Sequence, residues 1–118
     1  MRRVIVLVAL ASALGVIGSA GAAPQHRTAT TAITVKAGEF FFKLSKSSIA
    51  KPGTVAFAVK NVGHLAHDFK IAGKKTALIQ PGKSATLKVT FAKAGKYAYL
   101  CTVPGHASAG MKGRFTVR

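Results

Sequence analysis

The sequence predicts an all-β domain, an antiparallel Greek-key β-sandwich of about seven to eight strands. Three observations carry that expectation. Apolar residues recur at every second position along most of the chain from Ala32 onward, the mark of strands with one buried face. Turn-forming residues separate those stretches: Lys51-Pro52-Gly53, Asn61-Val62-Gly63, Pro81-Gly82 and Ala94-Gly95. No stretch carries an apolar stripe at helical spacing.

The chain opens differently. Arg2 and Arg3 precede an uncharged run from Val4 to Gln25, most apolar over Val4–Ile17 and rich in small residues from Gly18 to Ala23. A basic start, an apolar middle and Ala20-x-Ala22 describe a secretory signal peptide over residues 1–23. The run approaches the length of a membrane span, but its Gly/Ala/Ser-rich second half suits cleavage better than a hydrocarbon core. Residues 24–31, with His26 and Arg27, read as a flexible polar leader. The domain is expected over residues 32–118.

Within it, Phe40, Phe42 and Leu44 share one parity. Val55, Phe57 and Val59 form the next alternating stretch, with Lys60 outward. His67, Phe69 and Ile71 alternate with Asp68 and Lys70; Ala85, Leu87, Val89 and Phe91 alternate with Thr86, Lys88 and Thr90. Tyr97, Tyr99 and Cys101 follow, then Phe115 and Val117 between Arg114, Thr116 and Arg118. There is no internal repeat. Of 118 residues, 49% are hydrophobic, enough for one core and too many for a disordered chain. A single cysteine excludes an internal disulfide.

The chemistry is concentrated near the C-terminus, in Cys101-Thr-Val-Pro-Gly-His106-Ala-Ser-Ala-Gly-Met111. Cys, His and Met fall on one short loop between two strands. His67 opens an earlier strand, and in a sandwich that strand end can meet the Cys101 loop at one pole. One thiolate, two imidazoles and one thioether would then converge. Thiolate and thioether favour copper, and a two-His, one-Cys plane with a long axial Met is the electron-transfer copper arrangement. Zinc accepts Cys and His but gains little from a thioether. His67 is preferred over His64 because it shares the face of Phe69 and Ile71, whereas His64 sits beside Gly63 in a turn. A buried Cys or Met is ordinarily core filler; the shared loop is what argues for ligands.

Over residues 33–118 the chain resembles the cupredoxins, small blue copper proteins of the plastocyanin, azurin and auracyanin type. The resemblance lies in Asn61-Val-Gly-His-Leu-Ala-His67-Asp-Phe, Pro81-Gly82, Gly95-Lys-Tyr-Ala-Tyr-Leu-Cys101 and CTVPGHASAGMKG. It implies a cupredoxin-like sandwich, one type 1 copper ion, and His67, Cys101, His106 and Met111 as its ligands. The family often has Asn after the first His; here Asp68 stands there and can accept but not donate as an amide does. The resemblance also implies that electrons enter through the His106 ring edge, within an apolar patch of Val103, Pro104, Gly105, Ala107, Ala109 and Leu65.

Charge completes the sequence reading. The chain has 18 Lys+Arg against 2 Asp+Glu, a net +16. Removal of Arg2 and Arg3 leaves 16 basic residues against Glu39 and Asp68, a net +14. Such a field keeps a protein dispersed and speeds encounter with acidic partners. An anionic membrane or cell surface is a second candidate partner, while export argues against nucleic acid. The expectation is an exported, monomeric electron carrier of the periplasm or cell surface, acting on redox partner proteins and not an enzyme. A copper carrier delivering metal to an exported oxidase is the alternative; a metal-free adhesion module using the cationic face is a third reading. Size and the lack of further His clusters exclude a multicopper oxidase or copper nitrite reductase.

Overall fold

The computed structural model of the protein describes residues 29–118. The signal-peptide segment 1–23 and most of the leader lie outside the described residues. Nine strands follow: β1 (Thr31–Gly38), β2 (Phe41–Leu44), β3 (Ser48–Ile49), β4 (Gly53–Asn61), β5 (Lys70–Ile71), β6 (Lys74–Lys75), β7 (Ser84–Phe91), β8 (Gly95–Leu100) and β9 (Lys112–Val117). They form a four-stranded sheet, β2-β1-β4-β7, and a five-stranded sheet, β3-β9-β8-β5-β6. The all-β sandwich expected from the alternation is present.

Two pairings differ from a purely antiparallel arrangement. β1 runs parallel to β4, and β3 parallel to β9. The chain leaves the first sheet after β2, contributes β3 to the second, and returns as β4 beside β1. Period-two alternation tells which face of a strand is buried but not which way its neighbour runs, so mixed sheets were not legible from it.

The core lies where the two inner faces meet. Ile33 of β1 registers with Phe57 of β4, and Val35 with Val59; β4 registers Val55 with Val89 and Phe57 with Leu87 of β7. Phe57 is central: its ring lies 5.2 Å from Phe69 and 5.4 Å from Phe115, centroid to centroid. These edge-on and tilted packings suit aromatic quadrupoles. Lys36, Lys60 and Lys88 face outward, as alternation requires.

Two expected alternations break down beside the ligand loops. Phe40 does not continue the face of Phe42 and Leu44; it sits in the β1–β2 turn with φ 65° and is 41% exposed. Asp68 does not point outward but is buried. The expected strand from His67 to Ile71 is reduced to β5 plus a single bridge between His67 and Ile79. Freed from a ladder, the Asp68 side chain turns to the Cys101 loop instead.

Candidate metal centre

Asn61 ends β4, and the loop that leads from it to β5 carries His67. Asn61 is fully buried and staples that loop. Its Nδ2 donates to the carbonyls of Leu65 (2.7 Å) and Ile79 (2.8 Å), and its Oδ1 accepts the Gly63 N–H at 2.9 Å. A buried amide with its donors and acceptor satisfied fixes a loop rather than straining it. His67 then pairs with Ile79 by both backbone bonds, at 3.1 and 2.7 Å.

The second loop, from Cys101 to Met111, closes on itself. The Cys101 N–H donates to Met111 O, His106 N–H to Val103 O, and Met111 N–H to His106 O, each at 3.1 Å. Gly105 (φ 83°) and Gly110 (φ 116°) occupy the left-handed turn positions that let so short a segment fold back. Asp68 ties the two loops together. Its Oδ1 accepts the Thr102 N–H at 2.6 Å, and its Oδ2 accepts the Thr102 hydroxyl.

These supports bring three donors together. His67 Nδ1 lies 3.1 Å from His106 Nδ1. Cys101 Sγ lies 3.6 Å from His106 Nδ1 and 4.0 Å from His67 Nδ1. All three residues are buried, and their donor atoms fall within 4.8 Å of one another. Met111 is fully buried where the loop meets β9, linked to Cys101 and His106 by the backbone bonds above. His64 is exposed and takes no place in the cluster. The structure thus brings together His67, Cys101 and His106 in three dimensions, across 34 to 39 residues of sequence.

The electrostatics suit a metal. Burial pushes the His67 imidazole below its ordinary value, and the His106 ring adds to this; Glu39 opposes it. A neutral imidazole is the ligating form. Burial pushes the Cys101 thiol up, partly offset by the backbone amides of Asp68 and Val103. A metal must therefore displace the thiol proton as it binds. The two Nδ1 atoms and the Sγ all face one another, so one shared cation can meet all three at once. Thiolate with two imidazoles, on a braced scaffold, is a donor set that copper takes readily.

Two contributors were not foreseen from the sequence. Phe40 packs edge-on against His106, with ring centroids 5.4 Å apart. Glu39, beside it, reaches the His67 loop: its Oε1 accepts the N–H groups of His64 and of Leu65, the latter at 2.8 Å. Backbone donation of this kind holds the carboxyl below its ordinary range, most through Leu65 and then His64. An acidic residue before a turn aromatic was the available signal, but period-two reading assigns no partner to a turn.

Comparison with known proteins agrees with the site. The chain is 26% identical, over 83% of its length and 82% of the relative's, to the copper-resistant cuproprotein CopI of Pseudomonas aeruginosa. Over 42 residues, 36% of this chain and 18% of the relative, it is 45% identical to auracyanin-B of Chloroflexus aurantiacus. In fold it is similar to dithionite-reduced auracyanin from Roseiflexus castenholzii, with TM-score 0.66 and 24% identity over 76% of this chain and 98% of that one. Residues 21–118 match the family described as copper binding proteins, plastocyanin/azurin family. With copper as its cofactor and the His67, Cys101 and His106 donors gathered at one pole, this chain belongs to the plastocyanin/azurin family of copper-binding proteins.

Proposed function

We propose that the protein is an exported, monomeric carrier of single electrons, with one type 1 copper held by His67, Cys101, His106 and, as a weak fourth ligand, Met111. The observation that carries this reading is the convergence of two Nδ1 atoms and one Sγ in a buried, hydrogen-bonded cage. Bound copper supplies the one-electron Cu(II)/Cu(I) couple. No bond in a substrate is made or broken, so the protein is not an enzyme; the electron passes from a reduced donor to an oxidised acceptor. Asn61, Asp68 and the self-closed 101–111 loop hold the donors in one arrangement, which keeps reorganisation small in both oxidation states.

His106 is the side chain through which a partner is approached. It is 8% exposed, packed by the exposed Phe40 ring and preceded two residues earlier by exposed Pro104, while Leu65 on the His67 loop is 46% exposed. Lysines flank that pole. Lys43, Lys36 and Lys60 stand side by side in register on the outward face of β2, β1 and β4. Three like charges in a row favour an acidic partner protein at the docking face, and an anionic cell surface as a secondary contact. The N-terminal segment supports export to the periplasm or cell surface.

Titration with Cu(II), followed by stopped-flow oxidation and reduction, tests the reading. One equivalent is expected to give an intense thiolate-to-copper charge-transfer band, absent in Cys101→Ala, with rapid one-electron turnover. A colourless product would overturn it. The similarity to a copper-resistant cuproprotein favours a second reading, copper handling. Fast transfer of the metal to an apo-acceptor, together with slow electron transfer, would select that one.

A further inference from the structure

The chain has only two acidic side chains, Glu39 and Asp68, and both turn toward the metal pole. Asp68 is absorbed by Thr102. Glu39 is not explained so simply. It belongs to the β1–β2 turn, 25 residues upstream of His64. Its Oε1 grips the amides of His64 and Leu65 and lies 3.7 Å from His67 Nε2. That nitrogen is buried and has no hydrogen-bond partner. The other ring nitrogen, Nδ1, faces Cys101 and His106. A Cβ at Gly63 would overlap both Glu39 carboxylate oxygens. The missing side chain is therefore what lets the carboxylate lie against this loop.

We propose that Glu39 is a positioning residue for the copper ligand His67, accepting its Nε2–H and setting a negative charge one imidazole away from the metal. When Nδ1 is committed to a cation, the neutral ring must carry its proton on Nε2, which makes that atom a donor in need of an acceptor. Closing 3.7 Å to hydrogen-bond length needs a movement of about 1 Å at a turn side chain. The carboxylate is already anchored by two amides, so it meets the ring at little cost in ordering. A fixed negative charge at that position favours Cu(II) over Cu(I) and lowers the reduction potential. This rests on His67, Cys101 and His106 being the copper ligands.

The test compares copper-loaded wild type, Glu39→Gln and Glu39→Ala by visible and EPR spectra, copper loss to a chelator, and potentiometric titration. Gln keeps an acceptor oxygen but removes the charge. Glu39→Gln is expected to retain the wild-type spectrum and chelator rate within about twofold, while its Cu(II)/Cu(I) affinity ratio falls about tenfold, a rise of about 59 mV for a one-electron couple. Glu39→Ala is expected to change the spectrum and lose copper about tenfold faster as well. Ala32→Lys, an equal change in net charge on an exposed residue at the opposite end of β1, is expected to leave the potential in place. Copper-loaded Glu39 variants with unchanged potential and spectrum, or an equal rise in Ala32→Lys, would overturn the proposal. A wild type that takes up no copper would instead overturn the ligand assignment itself.

Discussion

Asp68 Oδ1 accepts the Thr102 backbone N–H at 2.6 Å, and the two residues each directly follow a candidate ligand, His67 and Cys101. The carboxylate therefore sets the spacing of two chain segments 34 residues apart in sequence. Hydrogen bonds to a charged group contribute about 1.5–3 kcal/mol. Asp68→Ala is expected to destabilise the metal-free protein by about 2 kcal/mol in denaturant unfolding. Asp68→Asn, which keeps one acceptor oxygen, is expected to lose less than half of that. Equal losses in both variants would show that the charge, not the acceptor, does the bracing.

Gly63 and Glu39 form a second coupled pair. Gly63→Ala forces the carboxylate away, but the colliding atoms are the free end of a flexible side chain. The fold is expected to survive with a thermal midpoint near wild type, while copper loss to a chelator accelerates. The Gly63→Ala/Glu39→Ala double variant is expected to be no worse than the poorer single one, because both remove the same contact. Additive effects in the chelator assay would contradict this.

Phe40 holds its left-handed backbone at a cost of roughly 1–2 kcal/mol, and its ring packs on His106. Phe40→Gly relieves the backbone and loses the packing, so unfolding stability is expected to change by less than about 1 kcal/mol. Access to the metal is expected to change more. Titration with azide is expected to perturb the visible band at lower concentration than in wild type. An unaltered azide response would mean that the ring does not shield the site.

The row Lys43–Lys36–Lys60 places like charges directly opposite one another, which is mildly destabilising in a sheet. Lys36→Gln is expected to stabilise the protein by about 0.2–1 kcal/mol. Replacing all three with Gln is expected to slow reduction by an anionic reductant several-fold at low ionic strength. The difference should vanish near 1 M salt, where screening reaches about 3 Å. A rate difference independent of salt would point away from steering.

Acid sensitivity follows from Glu39, whose carboxyl lies below its ordinary value of 4.5 in the folded chain. A depressed folded value means that the ionised form stabilises the fold above 4.5, and that this contribution is lost as pH falls through the folded value. The stability gap between metal-free wild type and Glu39→Gln is expected to be constant at neutral pH and to narrow below pH 4.5. A gap that widens on acidification would contradict the sign.

The core was largely legible. Val55, Phe57, Val59, Val89, Phe91, Phe115 and Val117 are buried on the parity that alternation assigns. The association of His67 with Cys101 and His106 was legible too, because donor chemistry restricts what residues on one short loop can do together. What alternation missed lies in turns. Phe40 and Glu39 act through a left-handed bend and backbone amides, and Asp68 through a strand that stops short. Each depends on three-dimensional approach between segments of unrelated sequence, to which residue periodicity is blind.

Among the described residues the lysines make no ion pair with either carboxylate. Both acids turn to the metal pole, and the outward sheet faces carry lysines with no acidic side chain among them. Two copies meeting face to face across those sheets therefore repel one another. For the proposed electron carrier, like-charge repulsion between identical molecules would slow self-exchange beside exchange with an oppositely charged protein, and so keep reducing equivalents from being scrambled within the pool.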